Sequence, residues 1–238
     1  MKLALSIAIA LLGIGACAAP SKTVRSDVQH AESAAPETLI GQARVLDGDT
    51  IEVNGQTVRL LDIDAPELAQ KCLGGPRAVR DCGKASADAL EKQIGGAAVR
   101  CVSTERDAYD RLLAHCSVNG MDLSTWSAAS GWSWAFVRYS ERLVPEEQAA
   151  RAKKLGIWAA KDVQAPWEYR QSRWDVAAQT APDGCPIKGN ISRSGEKIYH
   201  VPWNGQFYDR TKIDTSKGER WFCSEAEAVA AGWRASLR

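Results

Sequence analysis

Asp47-Gly48-Asp49-Thr50-Ile51-Glu52-Val53-Asn54-Gly55-Gln56-Thr57-Val58-Arg59-Leu60-Leu61 reads as two strands joined by one tight turn. Asn54-Gly55 is a strong hairpin signal, because both central residues of a type I′ turn take positive φ. The chain therefore doubles back, with Asp49 near the start of one strand and Arg59 on its partner. Asp64 and Glu67 follow in the loop where the second strand ends, and Pro66 stops the ladder there.

Gathering Asp49, Asp64 and Glu67 sets like charges together, so a site built from them needs a cation. Donors that are all oxygen, with no histidine in the segment, point to a hard ion such as calcium or magnesium rather than zinc. An arginine beside that ion suits a phosphate, whose oxygens accept the guanidinium fork while bridging to the metal. Either fragment alone reads more readily as a solvated turn or a surface charge. Jointly they predict metal-assisted cleavage of a phosphodiester.

Three stretches, DGDTIEV (47–53), VRLLDIDAPE (58–67) and RDAYDRLLA (106–114), resemble in this order the thermonuclease, or staphylococcal-nuclease-like, family. The resemblance covers about Leu39 to Arg170. It implies an α+β fold, a five-stranded OB-type β-barrel with three helices. It implies Ca2+ held by Asp49, Asp64 and the backbone carbonyl of Ala65, catalytic roles for Arg59, Glu67 and Arg111, and nucleotide contacts from Tyr109 and Tyr139. Two positions depart from the family form: Ala65 stands where threonine is usual, and Asp110 where glycine precedes the second arginine. On local grounds alone Arg111 would be a salt-bridge partner of Asp107 or Asp110.

The N-terminus begins Met1-Lys2 and runs apolar from Leu3 through Ala16 to Cys17. Such a run after a basic residue is a signal peptide and falls short of the roughly twenty residues of a membrane span. The expectation is an exported protein of the bacterial envelope, or a secreted one, with a signal peptide over 1–17 and a polar linker over 18–37. Ile14-Gly15-Ala16-Cys17 resembles a lipobox, which would put a lipid anchor on Cys17; Ala16-Cys17-Ala18 is also an ordinary cleavage site.

Cys72, Cys82, Cys101, Cys116, Cys185 and Cys223 remain, an even number that predicts disulfides in an exported chain. Six cysteines allow fifteen connectivities. Cys72 and Cys82 flank a Gly-Gly-Pro loop, Cys101 and Cys116 fall on neighbouring predicted strands, and Cys185 and Cys223 stand alone in the tail. No C-x-x-C pair supports a metal site instead.

Helices are predicted over Gly83–Ile94, stopped by Gly95-Gly96, over Met121–Ser130, and from Pro145 to Lys154, with acids in the first turn and lysines in the last. These place a nuclease-like domain at 38–172 and a second linker at 173–184. Residues 185–238 resemble a small C-terminal module, the sunset domain, too small to bury much core and so suited to a Cys185–Cys223 staple. His200 reads as a structural histidine and His115 likewise.

With 30 basic and 29 acidic residues the net charge is +1, so no basic face is predicted and nucleic acid would be held by the site rather than by a long electrostatic footprint. Short or flexible strands of DNA or RNA are then expected to bind about as well as duplex, or better. The competing expectation is an envelope OB-type module that binds nucleic acid or oligosaccharide without cutting it. The acid and arginine set favours the nuclease, since a binding module has no need of a metal-dependent water.

Overall fold

The computed structural model describes residues 36–74 and 81–236. The expected signal peptide, Cys17 and nearly all of the first linker lie outside the described residues, as do residues 75–80.

Strands β1 (Glu37–Val45), β2 (Thr50–Val53), β3 (Gln56–Leu60), the short β4 (Ile63–Asp64), β5 (Ala98–Arg106) and β6 (Leu112–Val118) build the first half of the molecule. β1 serves two neighbours: Glu37–Gln42 pair with β5, and Ala43–Val45 with β2. β2 and β3 form the expected hairpin, with Val53 opposite Gln56 and Asn54 and Gly55 both at positive φ. β3 then pairs in parallel with β6, from Val58↔Leu112 to Leu60↔Ala114, which closes a five-stranded barrel. Closure follows from alternation: on β6, Leu112, Ala114, Cys116 and Val118 point inward and the residues between them do not. Their inner partners are Ile51, Val53, Val58, Leu60, Val99 and Cys101.

Helix α1 (Cys82–Ile94) covers one end of the barrel with Leu90 and Ile94 and stops at Gly95, which takes φ +59°. The strand β7 (Met121–Asp122) precedes α2 (Leu123–Ala129), which starts two residues later than predicted because Asp122 is its N-cap, accepting from Thr125 N at 2.7 Å. Strand β8 (Trp134–Ala135) pairs with β4 and pins the segment carrying Asp64. Helix α3 (Val144–Ala152) has Glu146 and Glu147 in its first turn and Arg151 in its last, as its macrodipole favours.

A fourth helix, α4 (Pro166–Ala178), runs through the first half of the linker expected at 173–184. Residues 173–178 are its last turns, and Pro182–Gly184 form a 3-10 turn before Cys185. Sequence periodicity does not mark this helix because it has no single apolar stripe: it gives Arg170 to Asp64 and Glu67 and packs Trp174 on the C-terminal core. Beyond it, β9 (Ile187–Ile191), β10 (Lys197–His200), α5 (Gln206–Arg210), β11 (Arg220–Phe222), α6 (Glu225–Ala230) and β12 (Arg234–Ala235) form the C-terminal region, with sheet order β11-β9-β10-β12. Its core is Ile187, Tyr199, Val201, Phe222, Ala228 and Trp233, with Trp174 of α4 packed against it.

Disulfides join Cys72 to Cys82, Cys101 to Cys116 and Cys185 to Cys223, with Cα separations of 5.7, 4.0 and 4.1 Å. Cys101 and Cys116 are directly opposed on β5 and β6. His200 is buried with its Nε2 2.7 Å from Asn190 Oδ1, and so is structural. Among the described residues no helix is long and apolar enough to cross a membrane.

Candidate active site

The hairpin register sets Thr50 opposite Arg59, so Asp49, one residue before the ladder, lies beside the arginine. Arg59 Nη1 donates to Asp49 Oδ1, and its Nη2 lies 3.0 Å from Asp64 Oδ1. Asp49 Oδ2 accepts from Ala65 N at 2.6 Å, which ties the two acidic segments together through the backbone next to the expected carbonyl donor. Asp49 and Asp64 are 2% and 0% exposed, so both carboxylates are fully desolvated.

Desolvation has a cost that can be read in the charges. Burial pushes the Asp49 carboxyl up to about 8; Arg59 opposes this, while Asp47 and Asp64 add to it. Burial would lower Arg59, but Asp49, Asp64 and Asp47 outweigh it and hold the guanidinium above its ordinary value. At Asp49, then, Arg59 does not offset the whole cost of burial.

Glu67 is anchored by its own backbone. Its N–H donates to Gln70 Oε1 at 3.1 Å, its carbonyl accepts from Gln70 N at 2.7 Å, and Gln70 Nε2 donates to Gln164 O at 2.6 Å. Gly83 of α1 lies against this turn, where a Cβ would run into the Glu67 carbonyl, and the Cys72–Cys82 bond fastens helix to turn. The glutamate side chain is then held by a residue absent from every motif: Arg170 of α4, whose Nη1 is 2.8 Å from Glu67 Oε1. The same guanidinium reaches both oxygens of Asp64, at 3.1 and 2.8 Å. Asp64 and Glu67 hold Arg170 above its ordinary value against the opposing effect of burial.

Arg111 and Tyr109 sit on the β5–β6 loop. Arg111 Nε donates to Asp107 Oδ2 at 2.7 Å, one of the two partners expected on local grounds, and its guanidinium lies over the Tyr109 ring at 5.3 Å. Asp110 adopts φ +63°, the conformation that glycine would take there, and its carbonyl accepts from Arg106. Within the C-terminal region, Glu225 of α6 accepts from Tyr199 Oη at 2.9 Å. Burial raises the Glu225 carboxyl, the Tyr199 hydrogen bond and Arg111 oppose this, and Glu67 adds to it, so Glu225 lies within electrostatic reach of both sides of the site. Burial and then Glu225 raise the Tyr109 hydroxyl.

Arg59, Asp49, Asp64, Ala65 and Glu67 are thus brought into one cluster, with Tyr109 and Arg111 on the neighbouring loop. Tyr139 is not: it is 73% exposed and its ring contacts Phe136 at 5.0 Å. His115 is half exposed on β6, 3.7 Å from Asp62, outside the cluster. A shallow cavity of about 410 Å³ opens beside Tyr109, lined by Gly55, Gln56, Thr57, Arg106 and Asp110 as well.

The donor chemistry fits a hard divalent cation. Asp49 Oδ1 is occupied by Arg59 and Thr50, and Asp64 Oδ1 by Arg59 and Arg170, whereas Oδ2 of each accepts a single hydrogen bond and retains acceptor capacity. Among the described residues no group of three or more His, Cys, Asp or Glu side chains is placed to hold a metal ion by itself.

The family model described as staphylococcal nuclease homologue matches residues 57–160. A succinoglycan biosynthesis protein of Rhizobium meliloti is 38% identical over 133 residues, covering 55% of this chain and 70% of that protein. An uncharacterized endonuclease of Escherichia coli is 33% identical over 137 residues, 55% of this chain and 83% of that protein. A staphylococcal-like nuclease of Arabidopsis thaliana is 29% identical over 118 residues, 49% of this chain and 33% of that protein.

Proposed function

The chain belongs to the staphylococcal nuclease homologue family, and from that premise we propose that it is an exported, calcium-dependent nuclease that hydrolyses phosphodiester bonds of DNA or RNA. The observation that carries this reading is the buried pair Asp49 and Asp64, bridged by Arg59 and flanked by Glu67. A module that only bound nucleic acid would gain nothing from two desolvated carboxylates at the place where a phosphate has to approach.

Asp49, Asp64 and the Ala65 carbonyl would hold the cation. When bound, it would neutralise the phosphate oxygens and favour charge building on them. The remaining work falls to side chains. Arg59 is held in place by two aspartates, and N–H groups not taken by them would meet a phosphate oxygen. Arg111, stiffened by Asp107 and Tyr109, contributes the second guanidinium. Glu67 orients the attacking water or takes its proton at the carboxylate. With a near-zero net charge, nucleic acid would be held by the site rather than by a long electrostatic footprint, so short or flexible strands would bind about as well as duplex, or better. Export, with a lipid on Cys17 or free release, follows from the N-terminal segment and is compatible with three disulfides. Residues 185–238 would serve as an accessory module.

Glu67→Gln tests the assignment, because it preserves size and hydrogen bonding while removing the charge and the basic oxygen. Turnover of a short single-stranded oligonucleotide should fall by about a hundredfold or more, with binding changed less than about threefold. Normal turnover with lost binding would make Glu67 a substrate contact instead.

A further inference from the structure

Arg170 brings a third guanidinium into the site from a helix that lies beyond the family-matched residues 57–160. Its fork spans two different carboxylates, bidentate on Asp64 at 3.1 and 2.8 Å and on Glu67 at 2.8 Å, with a quarter of the side chain exposed. A planar fork can hold two carboxylates at a fixed separation, which a lysine cannot.

The helix that carries Arg170 is gripped from its other side. One turn on, Arg173 Nε donates to Pro202 O at 3.1 Å, and Trp174 packs on the C-terminal core. Gly205 completes the contact: a Cβ there would stand 2.6 Å from that of Ala69, two residues past Glu67. The C-terminal region therefore seats α4 and the turn after Glu67 together.

We propose that Arg170 is a positioning residue of the nuclease site: it fixes Glu67 and Asp64 relative to each other, and its charge limits how tightly the site holds a divalent cation. This rests on the nuclease reading above. Two separable effects follow. Without the fork, the Glu67 carboxylate loses the donor that orients it, which lowers kcat and leaves substrate contacts intact. Without the positive charge, the same carboxylates attract a cation more strongly. A lysine keeps the charge and loses the fork, so it restores the second property and not the first.

The test uses the full chain with Arg170→Gln and Arg170→Lys. Calcium affinity is measured by titration calorimetry on the protein alone, and kcat and KM on a short single-stranded oligonucleotide at saturating calcium. For Arg170→Gln the calcium Kd should fall by about threefold or more, kcat by about tenfold or more, and KM should stay within about twofold. For Arg170→Lys the Kd should stay within about twofold of native while kcat remains reduced at least about fivefold. Calcium binding by Arg170→Gln that is unchanged or weaker, a defect confined to KM, or full recovery of kcat with lysine would each overturn the assignment. If Arg170→Gln does not fold, the lysine variant decides the matter by the same kcat criterion. Absence of cleavage by the native chain would sink the nuclease reading, while the calorimetric comparison would still judge the effect of Arg170 on the cation.

Discussion

At Asp110 the backbone turns through φ +63°, a conformation costing most L residues roughly 1–2 kcal/mol and one that aspartate tolerates better than most. The turn is what points Arg111 back across the loop to Asp107. Asp110→Gly should therefore keep fold and turnover, whereas Asp110→Val should destabilise by about 1–2 kcal/mol in urea unfolding, since a β-branched residue is strained there. The arginines are held by geometry rather than by charge alone. Arg59→Lys and Arg111→Lys should each lower turnover by about a hundredfold at saturating calcium. Near-native rates for Arg111→Lys would leave that residue as a partner of Asp107 only. Asp49, Arg59, Asp64 and Glu67 were legible because one hairpin and the loop after it bring them together. Arg170 was not, since it lies 103 residues from Glu67 and an arginine near the start of a helix resembles any solvated charge.

Among the elements, α4 has the largest consequence. It turns Arg170 toward Asp64 and Glu67, and Arg173 and Trp174 toward the C-terminal region. Trp174→Ala should cost about 2–3 kcal/mol of stability, less than a fully buried tryptophan, because Trp174 is only partly buried. It should also lower turnover severalfold although the residue touches none of the site's acids, as paired unfolding and cleavage measurements would show. Unchanged turnover at the reduced stability would uncouple the helix from the site. Periodicity revealed the helices that lie on the barrel with one apolar face, such as α1 with Leu90 and Ile94. It failed at α4, where two faces are used and the residues between contacts are polar. The hairpin followed from turn chemistry, which is local, whereas the barrel was implied by the family resemblance, and six cysteines left the pairing open although neighbouring positions narrowed it.

On the scale of the whole molecule, the C-terminal region stands against the site instead of trailing from a linker, and its own stability bears on activity. His200 is buried near Lys188, and burial with that neighbour lowers its imidazole to about 4 from an ordinary 6.5. Above pH 6.5 the folded and unfolded chains both carry it neutral, and its contribution is complete. As pH falls from 6.5 toward 4 the unfolded chain binds a proton that the folded chain refuses, so stability drops, by up to about 3 kcal/mol. Thermal unfolding followed across that window should show the decline, and His200→Gln should flatten it. The Cys185–Cys223 staple was readable from this region's small size and two cysteines; its docking was not, because the contacts at Pro202 and Gly205 leave no mark in the residue pattern. Service of a cation by two buried aspartates and a carbonyl in phosphodiester cleavage is tested most directly by cleavage of a short single-stranded oligonucleotide in chelator and after calcium is restored. The expected result is loss of at least about 99% of turnover in chelator with recovery on calcium addition; full activity in chelator would contradict it.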